Sequence, residues 1–164
     1  MTIALIVKLV HVLLGTGLVV GIVGRDVTLR RAARAADLGT VHALLDVADV
    51  FERIFVRPMS MLVVAVGLVS ALLQGVPILG FLVGGTTSWL LASVVLFVAI
   101  VLLVPTVFLP RGRIFGAALA ASDAQGVVTP ELRAAFHDPA VERARLAELI
   151  GLLVVISLMV LKPF

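Results

Sequence analysis

A chain of 164 residues with 62% hydrophobic and 14% charged side chains is too apolar for a soluble fold, where the apolar share is about 45–50%. Its mean hydropathy of +1.24 calls for lipid as solvent. The absence of cysteine and tyrosine excludes disulfides, iron–sulfur ligation, thiolate metal sites and cysteine nucleophiles, so any metal or cofactor must be held by His, Met, Lys or carboxylates. The net charge of +3 does not point to nucleic acid, because the arginines flank apolar stretches where topology accounts for them.

A membrane span needs about 20 mainly apolar residues to cross roughly 30 Å of hydrocarbon. Residues 3–24, 54–73, 89–109 and 146–161 meet that need, and the fourth extends inward through 141–145. The first stretch runs straight into Arg25, Arg30, Arg31 and Arg34 with no small-residue cleavage site. It is expected to be a retained span and not a signal peptide.

Between the first and second spans, Val41, Leu44, Leu45, Ala48 and Phe55 recur at helical spacing, and Asp49 and Arg53 form an i,i+4 pair. The second span is therefore expected to begin as an amphipathic helix, with Pro58 bending it at the membrane edge. Between the third and fourth spans, Thr129-Pro130 and Asp138-Pro139 each read as an N-cap followed by proline at the first helical position. Residues 25–53 and 110–145 are thus two helical loops of a single four-span domain.

All eleven arginines fall within 25–57 and 111–145, and none lies in 74–88, while Lys8 and Lys162 sit toward the opposite ends of their helices. Positive charge collects on the cytoplasmic side, so both arginine-rich loops are expected in the cytoplasm and both termini outside. The excess of arginine over lysine points to a GC-rich bacterial genome. The expectation is an all-α, multi-pass four-helix bundle in a bacterial cytoplasmic (inner) membrane.

Gly17, Gly21 and Gly24 form a small-residue stripe on the first span, the pattern by which helices approach closely in lipid. On the same span lies His11, with Lys8 one turn beyond it and Gly15 one turn deeper. An imidazole inside a span is a functional candidate and a common nitrogen ligand for haem iron and other metals. The absent side chain at Gly15 would leave room for a flat ring. A neutral histidine bonding two helices together is the equally open structural reading.

The fourth span ends in the same leaflet, with Met159 as a candidate second axial ligand or an adaptable core residue. Lys8 and Lys162 are candidates for haem propionates or for snorkelling to lipid phosphates. His42 and His137 fall in the loops and are expected at the surface, and Arg25 and Asp26 as helix-end charge pairs. No acidic residue is expected in a span interior, which argues against an ion-coupled pump. Phosphate-loop, Gly-x-Ser-x-Gly and His-Glu-x-x-His motifs are absent.

Several residues carry a family resemblance: Lys8-Leu-Val-His11, Gly21, Thr129-Pro130-Glu131-Leu132-Arg133, Asp138-Pro139, and the ending Leu158-Met159-Val-Leu-Lys162-Pro163. Along nearly its whole length the chain resembles a bacterial family of predicted integral membrane proteins, unknown-function family 2269. Over its first span and its ending it is more distantly similar to copper-resistance D-type proteins and to membrane protoporphyrinogen IX oxidases. In the oxidases the histidine matching His11 binds haem b, so the resemblance implies haem b on His11. The chain departs from them in having Val20 and Ile22 beside Gly21 and no lysine in the third span, which speaks against oxidase activity.

The expectation is therefore a bundle that binds haem b, or another metal centre, through His11, linked to electron transfer or haem metabolism. Any catalysis would be that of an oxidoreductase. Two rivals stand beside it. One is a cofactor-free accessory subunit or homo-oligomer packing through the glycine stripe. The other is a copper-handling protein, weakened by the lack of His, Met or Cys in 74–88.

Overall fold

A computed structural model describes residues 2–76 and 88–163; most of the charge-free loop read at 74–88 lies outside them. Every regular element in the described residues is helical. Helix α1 spans Ile3–Ala32. Helices α2 (Leu38–Phe51) and α3 (Arg57–Leu73) form one rod, joined by a π-helical turn at Glu52–Val56. With α1 as the first rod and α2–α3 as the second, helices α4 (Ser88–Leu103) and α5 (Leu109–Gln125) form the third rod through a π-turn at Val104–Phe108. The short α6 (Pro130–Phe136) precedes α7 (Pro139–Leu161). Among the described residues, four helices are long and apolar enough to cross a membrane.

The helices overrun the apolar stretches. Helix α1 continues from Gly24 to Ala32 and the third rod from Leu109 to Gln125. Hydropathy marks where hydrocarbon ends, whereas a helix ends where its backbone is capped or broken. The caps are local. Asp37 accepts the Thr40 N–H at 2.8 Å, and this bond is the main reason its carboxyl lies below the ordinary range. Thr129 accepts from the Leu132 N–H at 3.3 Å, and Asp138 from the Ala140 N–H at 2.8 Å. Gly126, at φ 70°, closes α5 in the left-handed region.

Both π-turns end just before a proline. The Arg57 N–H bonds back to the Glu52 carbonyl, and the Leu109 N–H to that of Val104. Pro58 and Pro110 follow directly. A proline inside a helix has no N–H to donate and its ring crowds the carbonyl four residues earlier. Widening one turn relieves that crowding without ending the helix.

Helix α1 lies antiparallel along the α2–α3 rod, and α4 lies along α7. The glycine stripe makes the first pairing. A Cβ on Gly21 would stand 2.5 Å from Phe55 Cβ and 3.3 Å from the Val56 backbone nitrogen; one on Gly24 would stand 2.5 Å from the Phe51 ring; and Gly17 faces the Met59 sulfur. The second pairing has its own notch, where a Cβ on Gly151 would stand 2.7 Å from Ile100 Cδ1. A core of Leu18, Ile22, Val56, Ile100 and Leu152 joins all four spans. Past the arginine-rich end, Ala32, Ala35, Val41, Leu132 and Phe136 form a separate core under the helical loops. Elsewhere the spans present apolar side chains outward; Leu13 is 60% and Leu153 62% exposed, as a lipid-facing surface requires.

The two glycine environments make opposite predictions. Gly21→Ala is expected to lower stability by roughly 1–3 kcal/mol through overpacking. Gly112, with open space around a built Cβ, is expected to tolerate alanine with a gain of up to about 1 kcal/mol from helix propensity. Unfolding in detergent, followed by circular dichroism, measures both.

Candidate functional site

His11 is half-buried between α1 and α3. Its Nδ1 lies 2.9 Å from the Val63 carbonyl oxygen. A carbonyl only accepts, so Nδ1 carries the proton and, in the neutral ring, Nε2 keeps its lone pair. The ring fits against Gly67, where an added Cβ would stand 2.7 Å from His11 Cε1 and 3.0 Å from Nδ1. Gly67 is the partner that sequence reasoning missed. Its signal was available, since it is the one glycine of the second span.

The other residues of the expected site are distributed around this pair. Gly15 also faces α3, with Val63 Cγ2 3.9 Å from the position of its Cβ, so α3 covers the face where a flat ring was expected. Lys8 is exposed on α1. Met159 packs against the cluster of Ala71, Trp89 and Leu90. The Lys162 ammonium sits 5.3 Å from the centre of the Trp89 ring. The structure thus brings His11 together with Gly15 and Val63, and Met159 together with Lys162 around Trp89. No group of three or more His, Cys, Asp or Glu placed to hold a metal ion occurs among the described residues.

At the arginine-rich end stands a second polar centre, built around Arg25. Its Nη2 donates to Glu148 Oε2 at 2.6 Å and its Nη1 to Glu52 Oε2 at 3.0 Å. Its Nε lies 3.6 Å from Asp26 Oδ1, and its guanidinium carbon lies 5.8 Å from the Phe108 ring centre. One side chain on α1 therefore touches all four rods. Both π-turns serve this site, one opening with Glu52 and the other closing with Phe108. Arg57 supports Glu52 at 3.4 Å, and Arg145 approaches Asp26 at 3.7 Å. Both Asp26 carboxylate oxygens are buried without a hydrogen-bond donor among the described residues.

This centre corrects the expectation that no carboxylate lies inside a span. Glu148 falls within 146–161 and is buried, 6% exposed. The reason is helical phase: Ala144, Glu148, Gly151 and Leu152 share the inward face of α7. It also enlarges the helix-end pairing expected of Arg25 and Asp26 into a network reaching α7. Of the loop histidines, His42 is exposed but joins α2 to α5 through Asp123 at 2.8 Å, and His137 bonds the Arg133 carbonyl of its own helix.

Removing a buried arginine leaves buried carboxylates uncompensated, which typically costs about 3–5 kcal/mol. Arg25→Met is expected to lose stability on that scale, and adding Glu148→Met to it is expected to restore part of the loss. The stabilities of both variants, measured against the wild type in detergent, test the coupling.

A family model described as predicted integral membrane protein (DUF2269) matches residues 5–163. No curated protein and no solved structure matches the chain.

Proposed function

Starting from a chain that belongs to the DUF2269 family of predicted integral membrane proteins, we propose a multi-pass membrane protein that offers His11 Nε2 as a nitrogen ligand to haem b or another metal centre. The observation that carries this reading is the bond from His11 Nδ1 to the Val63 carbonyl at 2.9 Å. Histidines that ligate metals commonly donate their other ring N–H to a carbonyl or carboxylate, which sets the tautomer and ring orientation. The Gly67 notch restricts the same ring from the side. Lys8, one turn away and exposed, is the cation available to an acidic substituent of a cofactor. When bound, haem would supply one-electron chemistry.

The resemblance of the first span to membrane protoporphyrinogen IX oxidases supports haem as the group, without carrying over the reaction. Met159 and Lys162 are engaged around Trp89, so the reading rests on His11 as the protein's one ligand. The arginine-rich loops face the cytoplasm on the strength of the charge asymmetry, and the arginine excess with the family resemblance makes the membrane a bacterial cytoplasmic one.

The same contacts favour a second reading, a cofactor-free accessory subunit in which His11 is an interhelical clasp. In that case partners meet surfaces other than the glycine stripe, which α2 and α3 already cover. Copper handling gains no donor cluster of His, Cys, Asp or Glu from the described residues.

Absorption spectra of the detergent-purified protein, oxidised and reduced, with haem precursor supplied during expression, separate the first two readings. The expected result is a Soret band that shifts on reduction and is lost in His11→Ala. A folded, monodisperse wild type without a Soret band overturns the haem reading and leaves His11 as a clasp.

A further inference from the structure

The arginine-rich end contains a cleft of 180 Å³ that the His11 reading does not use. Its apolar walls include Leu29, Phe108, Phe115 and Phe136, and Arg111 and Arg145 complete the lining. Phe115 and Phe136 meet edge to face with ring centres 4.8 Å apart, which fixes the wall between α5 and α6. The volume is several times the roughly 30 Å³ share of one water and below the roughly 300 Å³ at which pockets begin to enclose whole small molecules. It suits a segment of a chain better than a compact solute.

The position of the cleft suits a lipid. Phe108 closes the π-turn of the third rod, and Pro110 and Arg111 follow the last apolar residue of that span. The side of the cleft formed by Phe108 and Arg111 therefore lies at the end of the apolar stretch, while Phe115 and Phe136 close it on the side of the loop core. Its arginines suit an anion. The side chain of Arg145 is 17% exposed, and its closest carboxylate contact is Asp26 at 3.7 Å, beyond hydrogen-bonding distance. No hydrogen bond to its guanidinium occurs among the described residues, so a mostly buried cation faces the cleft with its donors unspent. Arg111 is 46% exposed and holds Asp138 at 3.1 Å, a surface pairing that is cheap to exchange.

We infer that the span-side mouth of this cleft binds an anionic phospholipid, with the phosphate on Arg145 and Arg111 and the first methylenes of an acyl chain against Phe108, which precedes Arg111 at the end of the third apolar stretch. A phosphate oxygen accepts the guanidinium donors that no carboxylate takes, and Phe108 receives the chain that a free anion lacks.

Native mass spectrometry of the full chain in non-ionic detergent tests this, with dioleoyl phosphatidylglycerol, dioleoyl phosphatidylcholine or inorganic phosphate added. The expected result is retention of phosphatidylglycerol over phosphatidylcholine, weakened roughly fivefold by Arg145→Gln. Gly112→Leu leaves both arginines in place, enters open space and fills the cleft, so it is expected to weaken phosphatidylglycerol binding as well, in a protein whose fold is checked by circular dichroism. Equal retention of the two lipids overturns the proposal. So does phosphatidylglycerol binding that Gly112→Leu leaves unchanged, and so does displacement of the lipid by millimolar inorganic phosphate, which would mark a site for a free anion.

Discussion

Arg25 is the point at which the four rods of this protein are joined electrostatically. A guanidinium has five donors in a planar fork, and this one spends them on Glu148 of α7 and Glu52 of the second rod while facing Phe108 of the third. Burying such a charge is expensive, and the cost is met only when opposite charges are held close in good geometry. The bundle must therefore bring three separate helices to one place on α1, which fixes their height and rotation relative to it. Lipid supplies no comparable constraint, because helix faces of leucine and valine gain little by exchanging tail contacts for each other.

The two π-turns belong to the same design. In each the helix runs on through the proline that follows, and each ends up beside Arg25. An extra residue in a helical turn shifts the phase of everything beyond it, so the two parts of each rod on either side of its π-turn are rotated relative to one another. On the second rod that rotation accompanies the facing of Val63 and Gly67 toward α1. Backbone chemistry at the membrane edge and side-chain placement at His11 are thus linked through one helix.

Around these polar fixed points the bundle closes by shape. Glycines on α1 admit Phe51, Phe55 and Met59, and Gly151 on α7 admits Ile100. Beyond the membrane edge the loops pack as a small soluble domain does, with Val41 and Leu132 fully buried. Ser122 and Thr129 satisfy each other beneath the turn that joins α5 to α6.

The four spans, the N-caps at Thr129 and Asp138, and the Asp49–Arg53 pair were legible in the amino-acid sequence. Each depends on residues within a few positions of one another, or on hydropathy summed over one segment. The packing role of the glycine stripe was legible too, though not the rod it would meet. His11 could be singled out as a polar residue in a span, but not its seat against Gly67, 56 positions away. Glu148 stood in view inside the fourth apolar stretch, and only the rotation of α7 turned it inward to Arg25, 123 positions earlier. Local composition decides that a helix forms and that it lies in lipid. Which of its faces meets which neighbour depends on helix phase, on the two π-turns and on where a buried charge finds its partners, and those are settled only when all four rods are in place.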